Sequence, residues 1–181
     1  EQSIASLRKL EAATDMLNVV QVGHTSEGRA WYCALVSSKE NLDNIEEIKN
    51  TAKKLAHPGG LNEKEAKRLA HSGKPIVHID GGLHATEVAG PNHTLTLVYE
   101  ILSQAGTPKM KNILDNVVLM LYPTINPDGQ TMVANWYLSN VGTPYEVAPI
   151  PKLYQKYVGH DNNRDAYMLN MIESRVMERT W

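Results

Sequence analysis

The chain has 181 residues, 42% of them apolar and 21% charged, with a formal net charge of -2. That length suits one domain with a sizeable core, and the composition is that of an ordinary globular protein. Lys and Arg are interspersed with Asp and Glu and form no basic face, which gives no support to nucleic-acid binding. Cys33 is the single cysteine, so no internal disulfide forms. No apolar run reaches the length needed to span a bilayer, and Glu1 to Leu10 reads as an amphipathic helix rather than a signal peptide.

Ile4, Leu7, Leu10 and Ala13 recur at helical spacing, predicting an opening helix to about Met16. Asn18 to Val22 is a β-prone run closed by the polar turn His24-Thr25-Ser26-Glu27-Gly28. Ala30 to Val36 is a second strand, forming a hairpin or an adjacent pair with the first. Asn41 to Ala56 has the charge and aliphatic alternation of a surface helix, stopped by Pro58-Gly59-Gly60. Asn62 and Glu65 resemble a capping box ahead of a short helix that ends at Ser72-Gly73. Pro75 to Asp80 is a β-branched run that reads as an interior strand, closed by Gly81-Gly82. Helical spacing follows from Glu87 to Ser103, and Asn116 to Tyr122 is a fully apolar strand stopped by Pro123. Pro127 to Leu138 and Asp165 to Arg179 are predicted helices. Val141 to Gly159 holds three of the nine prolines and reads as a surface loop. Strands alternating with helices predict one α/β domain over 1–181, with a mixed, largely parallel sheet flanked by helices.

Three segments carry candidate chemistry. In Gly81-Gly82-Leu83-His84-Ala85-Thr86-Glu87, a histidine and a carboxylate lie three apart where a strand gives way to a helix. On a first helical turn that spacing puts both on one face. Imidazole and carboxylate are donors that zinc accepts, and sites in α/β folds gather outside the carboxyl ends of strands. Taken alone, the pattern equally describes a helix start with a surface carboxylate near the amino-terminal dipole. Asn126-Pro127-Asp128-Gly129 is strong turn chemistry in its own right. Gly159-His160-Asp161-Asn162-Asn163-Arg164-Asp165 is a polar stretch whose guanidinium can grip a carboxylate bidentately, or a solvated loop with Asp165 capping the next helix. His24, His57, His71 and His93 lack such context and read as surface positions; His78, inside the apolar strand, reads as a core histidine.

In combination and in this order, the three segments resemble the M14 zinc carboxypeptidase family from about Val22 through Arg164. The resemblance implies a zinc-carboxypeptidase-like fold, cut off before its last strands, and a peptide or acyl-amino-acid substrate with a free carboxylate. It implies His84 and Glu87 as the first two ligands of one zinc ion. Asp161 is implied as the carboxylate that accepts a proton from the His84 ring and fixes its tautomer. Asn163 and Arg164 match the pair that holds the substrate's terminal carboxylate. By family analogy such enzymes are often secreted or periplasmic.

Three departures from the family pattern stand beside it. No His follows His160, so the third ligand has no candidate, and the family's general-base Glu lies beyond Trp181, leaving no catalytic residue within this chain. Between Gly129 and Arg164 there is no Arg to stabilise an oxyanion. The expectation is therefore an incomplete, inactive zinc metallocarboxypeptidase site. Zinc binding by it is expected to be weak or absent, and self-association to occur through an open sheet edge. A deacylase or amidase on the same scaffold, or a non-catalytic module that binds peptide carboxylates, are the alternatives.

Overall fold

The computed structural model describes residues 2–153, 155, 158 and 161–180; Glu1, and Gly159 and His160 of the late polar stretch, lie outside them. The elements run α1 (Gln2–Glu11), β1 (Leu17–His24), β2 (Ala30–Val36), α2 (Lys39–Asp43), α3 (Ile45–Ala56), α4 (Glu63–Ser72), β3 (Ile76–Asp80), α5 (Ala89–Ser103), α6 (Pro108–Asn116), β4 (Val118–Tyr122), α7 (Pro127–Asn140), α8 (Asn162–Asp165) and α9 (Ile172–Thr180). Four strands form a sheet in the order β1-β2-β4-β3. β2 pairs antiparallel with β4 in the register Ala34↔Leu121, Leu35↔Met120 and Val36↔Leu119. The result is a mixed α/β fold with helices flanking the sheet.

By packing, the chain divides into two compact units. The first comprises Glu1–Val19, Ala34–Ile79 and Leu97–Leu121; the second comprises Val20–Cys33, Asp80–Thr96 and Tyr122–Trp181. Within the first, Leu7, Val36, Leu114 and Val118 are almost fully buried. The carbonyls at the end of α6 would be orphaned there without partners. Asn41 Nδ2 donates to Leu114 and Asp115 carbonyls at 3.0 and 3.2 Å, and Lys74 Nζ donates to the Asp115 carbonyl at 2.9 Å. Thr107 caps α6 at its other end, accepting from Met110 N–H at 3.3 Å, with Pro108 at the first helical position. Asn62 caps α4 as its sequence predicts, accepting from Glu65 N–H at 2.9 Å.

The second unit is organised round Trp31, 2% exposed, whose Nε1 donates to the Thr124 carbonyl at 2.8 Å. Its ring lies 5.7 Å from that of Tyr122 at 59°, a tilted aromatic pair. Tyr122 also meets Thr180 Oγ1 at 2.8 Å. Burial pushes the Cys33 thiol, from 9.0, up to about 11, against the hydrogen bond it shares with Tyr122. An unfolded chain sheds that proton two pH steps earlier, so the contribution is full below about pH 9 and is lost as pH rises through about 11. The expected loss is about 2–3 kcal/mol over that interval. Urea melts at pH 8 and pH 11 on the wild type and on Cys33→Ala check it: the difference between the two proteins should vary with pH.

Four sequence expectations are corrected. β3 lies at the edge of the described sheet rather than inside it, with Val77 40% exposed. Its β-branched run suits either place, because sequence alternation does not report which neighbours a strand has. The run from Asn41 to Ala56 is interrupted at Asn44, whose φ of -102° and ψ of 19° end α2 and start α3. The helix predicted from Asp165 to Arg179 begins only at Ile172: Asp165 ends α8, and its carboxylate accepts from Asn170 and Met171 N–H at 3.2 and 2.8 Å in the non-helical link before α9. The opening helix stops at Glu11, whose carboxylate accepts from Val19 N–H at 2.6 Å.

Candidate metal centre

Beyond Asp80 the chain leaves β3 through Gly81 and Gly82. Gly81 N–H donates to the Tyr122 carbonyl at 3.1 Å, and the Gly81 carbonyl accepts from Ile125 N–H at 2.9 Å. A Cβ at Gly81 would stand 2.8 Å from the Gly90 carbonyl carbon; Gly82, at φ +68°, would place one 2.6 Å from Thr124 Oγ1. Both positions therefore demand glycine, one for space and one for space and conformation. The chain then closes a turn with Glu87 N–H on the His84 carbonyl at 3.0 Å.

The expectation that His84 and Glu87 occupy a first helical turn is corrected, since α5 begins at Ala89. The non-helical turn nevertheless brings the two side chains together: His84 Nδ1 lies 3.1 Å from Glu87 Oε1. On its other side, His84 Nε2 lies 3.3 Å from Asp161 Oδ2. Asp161 is the N-cap of α8, and its second oxygen, Oδ1, accepts from Arg164 N–H at 3.1 Å. One carboxylate thus caps a helix and faces the imidazole, with an oxygen for each task.

This donor set fits zinc. A neutral imidazole carries one N–H and satisfies one of its two flanking carboxylates. If Nε2 donates to Asp161, the Nδ1 lone pair faces the Glu87 carboxylate, an arrangement that a cation between them resolves. Two donors of a tetrahedral zinc, each about 2.0–2.1 Å from the ion, stand roughly 3.3 Å apart, close to the spacing here. Among the described residues, no group of three His, Cys, Asp and Glu forms a complete metal-binding cluster. Asn163 and Arg164 are exposed on α8, and among the described residues their side chains have no hydrogen-bond partner. His24, His57, His71 and His93 are exposed, as their lack of context suggests.

Sequence reasoning left one cluster unassigned. Asp128 of the Asn-Pro-Asp-Gly segment is 7% exposed. Its Oδ1 accepts from Thr25 Oγ1 at 2.8 Å and Arg29 Nη1 at 2.6 Å, and its Oδ2 accepts from Glu27 N–H at 2.9 Å. Hydrogen bonds to Glu27 and Asp128 hold the Arg29 guanidinium above its usual range. Glu173 grips the same turn, accepting from Ser26 N–H and Oγ at 2.8 and 3.0 Å. The partners are about a hundred positions apart, and the only signal available was that both segments read as turns. Gly129 completes the segment: a Cβ there would stand 2.9 Å from Ala85 Cβ and 2.6 Å from Asn126 Nδ2. Asn126 caps α7 by accepting from Gly129 N–H at 3.0 Å, so this turn lies directly behind the one that bears His84. A cavity of about 200 Å³ opens beside Leu83 and Asn163, walled by Ile125, Asn162, Ala166 and Met177.

Residues 4–169 match the family model described as zinc carboxypeptidase. Over 103 residues the chain is 33% identical to carboxypeptidase B of Astacus astacus, covering 57% of this chain and 32% of that one. The crystal structure of carboxypeptidase A from Helicoverpa armigera superposes with a TM-score of 0.54 at 16% identity, covering 96% of this chain and 39% of that one. A metallo-carboxypeptidase from Burkholderia cenocepacia gives a TM-score of 0.49 at 20% identity, covering 72% and 27%. The chain thus spans about a third of the length of the curated relative it matches.

Proposed function

The chain belongs to the zinc carboxypeptidase family, and we propose that it supplies two ligands and the carboxylate grip of a site that releases the last residue of a peptide. The observation that carries this reading is His84 set between two carboxylates, 3.1 Å from Glu87 and 3.3 Å from Asp161. His84 Nδ1 and Glu87 would hold the zinc ion, which when bound polarises the scissile carbonyl and acidifies a water. Asp161 would accept a hydrogen bond from His84 Nε2–H, which fixes the ring's tautomer and leaves the Nδ1 lone pair free for the metal. Asn163 and Arg164, exposed on the short helix that Asp161 caps, would receive the substrate's terminal carboxylate. An exopeptidase must recognise a chain end, and a planar guanidinium binds a carboxylate through two parallel hydrogen bonds.

No histidine follows His160 in this sequence, and a catalytic zinc takes three protein ligands. By itself the chain is accordingly expected to hold zinc weakly and to turn over no peptide. In the whole protein, His84→Ala is expected to abolish zinc retention and to lower kcat/KM on a blocked dipeptide with a free carboxylate by about 100- to 1000-fold, the order typical of lost electrostatic stabilisation. Turnover by the isolated chain, or turnover by the whole protein that survives His84→Ala, would overturn the reading. A second reading is favoured by one feature, the lack of any Arg between Gly129 and Arg164. On that reading the same scaffold binds a peptide carboxylate without turnover, or cleaves an acyl amide instead. Zinc retained with no peptidase activity in the whole protein would select it.

A further inference from the structure

Asp161 and the His84 turn are far apart in sequence, yet both are tied to one residue. Ile125 N–H donates to the Gly81 carbonyl at 2.9 Å, which fixes the start of the His84 turn. The Ile125 carbonyl accepts from Asn162 Nδ2 at 3.2 Å, and Asn162 is the residue that follows Asp161. Asn162 Oδ1 in turn accepts from Gln155 Nε2 at 3.1 Å. All three are buried, with Ile125 and Gln155 7% exposed and Asn162 8%.

The orientation of the Asn162 amide is dictated by its partners. A backbone carbonyl only accepts, so the amide nitrogen must face Ile125, and its oxygen then faces the Gln155 amino group. α8 is four residues long, too short to fix its own position by helical cooperativity. A buried amide satisfied at both ends is strongly directional, because displacing it leaves polar groups unpaired away from water. Alanine or leucine at this position would offer neither a donor to Ile125 nor an acceptor for Gln155.

We propose that Asn162 is a positioning residue: through Ile125 its side-chain amide sets Asp161 opposite His84 Nε2. Its purpose rests on the metal-site reading above, whereas its geometry does not. Asn162 acts on His84 only by way of Asp161. Among the described residues, its side chain hydrogen-bonds to Ile125 and Gln155 and to neither the ring nor Glu87.

The test uses the metal-free chain with 15N-labelled histidine, reading the ring nitrogens of His84, assigned by their loss in His84→Ala. Asp161→Asn provides the reference for a ring without its carboxylate. Asn162→Ala is expected to move the Nε2 resonance most of the way to the Asp161→Asn position. Asn162→Asp should do the same, because it sets an oxygen against the Ile125 carbonyl. The double variant Asn162→Ala with Asp161→Asn should move it no further than Asp161→Asn alone. Gln155→Ala, which leaves Asn162 in place but unhooks its oxygen, gives a smaller shift in the same direction and serves if either Asn162 variant fails to fold by circular dichroism. A folded Asn162 variant with the wild-type Nε2 resonance, or a double variant that shifts beyond Asp161→Asn, would overturn the proposal.

In the whole protein the same Asn162 variants should weaken zinc affinity about 10-fold, the lower end of what a lost outer partner costs. If zinc binds and is lost in His84→Ala while the Asn162 variants match wild type, this inference fails and the metal reading stands. If no zinc binds but the ring shifts follow the stated pattern, the metal reading fails and Asn162 keeps its role.

Discussion

Asp128→Ala is expected to lower the unfolding free energy by about 3 kcal/mol, measured by urea melts of this chain. The side chain is 9% exposed in its ion pair with Arg29, and its loss strips partners from three donors at once. Thr25 is 3% exposed, so its hydroxyl has little water to turn to. The Glu27 N–H, which donates to Asp128 at 2.9 Å, sits in a tight turn where the Gly28 N–H is already committed to the Thr25 carbonyl. Arg29 matters less, because at 39% exposure its guanidinium rehydrates and keeps Glu27. Most of the cost should therefore come from the two neutral donors. Asp128→Asn separates the terms, since it preserves the shape and one acceptor oxygen but presents an amino group to the remaining donors. Its expected cost is about 2 kcal/mol, and adding Arg29→Ala to Asp128→Ala should add little. A loss below about 1 kcal/mol for Asp128→Ala would show that the turn is held by Glu173 alone.

How far the sequence discloses this arrangement depends on how local each cause is. The β2 and β4 runs, the Asn62 cap and the Gly81-Gly82 break were legible because a few adjacent residues determine them: alternation, a capping side chain, a backbone without Cβ. The meeting of His84 with Glu87 was also legible, although for a different local reason. A turn closed by Glu87 N–H on the His84 carbonyl does what a helical turn was expected to do. The edge position of β3 was not legible, because strand order is decided by pairing between distant segments. The same holds for Asp128, whose partners Thr25, Glu27 and Arg29 lie in a turn near the start of the chain. Asn162 shows the limit most clearly: in the sequence it is one of two adjacent asparagines. Burial and the hydrogen bonds to the Ile125 carbonyl and the Gln155 amino group distinguish it from exposed Asn163.

The second large effect belongs to Gly81. Replacing it by alanine is expected to cost about 3–4 kcal/mol, because the added Cβ would lie 2.8 Å from the Gly90 carbonyl carbon, 2.9 Å from its oxygen and 3.1 Å from Pro91 N. All three are backbone atoms at the start of α5, so no side-chain rotation relieves the clash. Relief requires α5 to move away, or the Gly81 bonds to Tyr122 and Ile125 to stretch. Either movement carries the His84 turn with it. Gly28 supplies the comparison, since its φ of +80° is strained for alanine but none of the described residues lies within 4 Å of a Cβ there. Gly28→Ala should therefore cost only the conformational penalty, about 1–2 kcal/mol. Urea melts of the two variants measure the gap, and amide exchange across residues 81–88 should rise in Gly81→Ala alone. Equal losses, with unchanged exchange at the His84 turn, would mean that contact with α5 is not what requires glycine at 81. The turn would then have to owe its position to the Ala85–Gly129 contact on its other side.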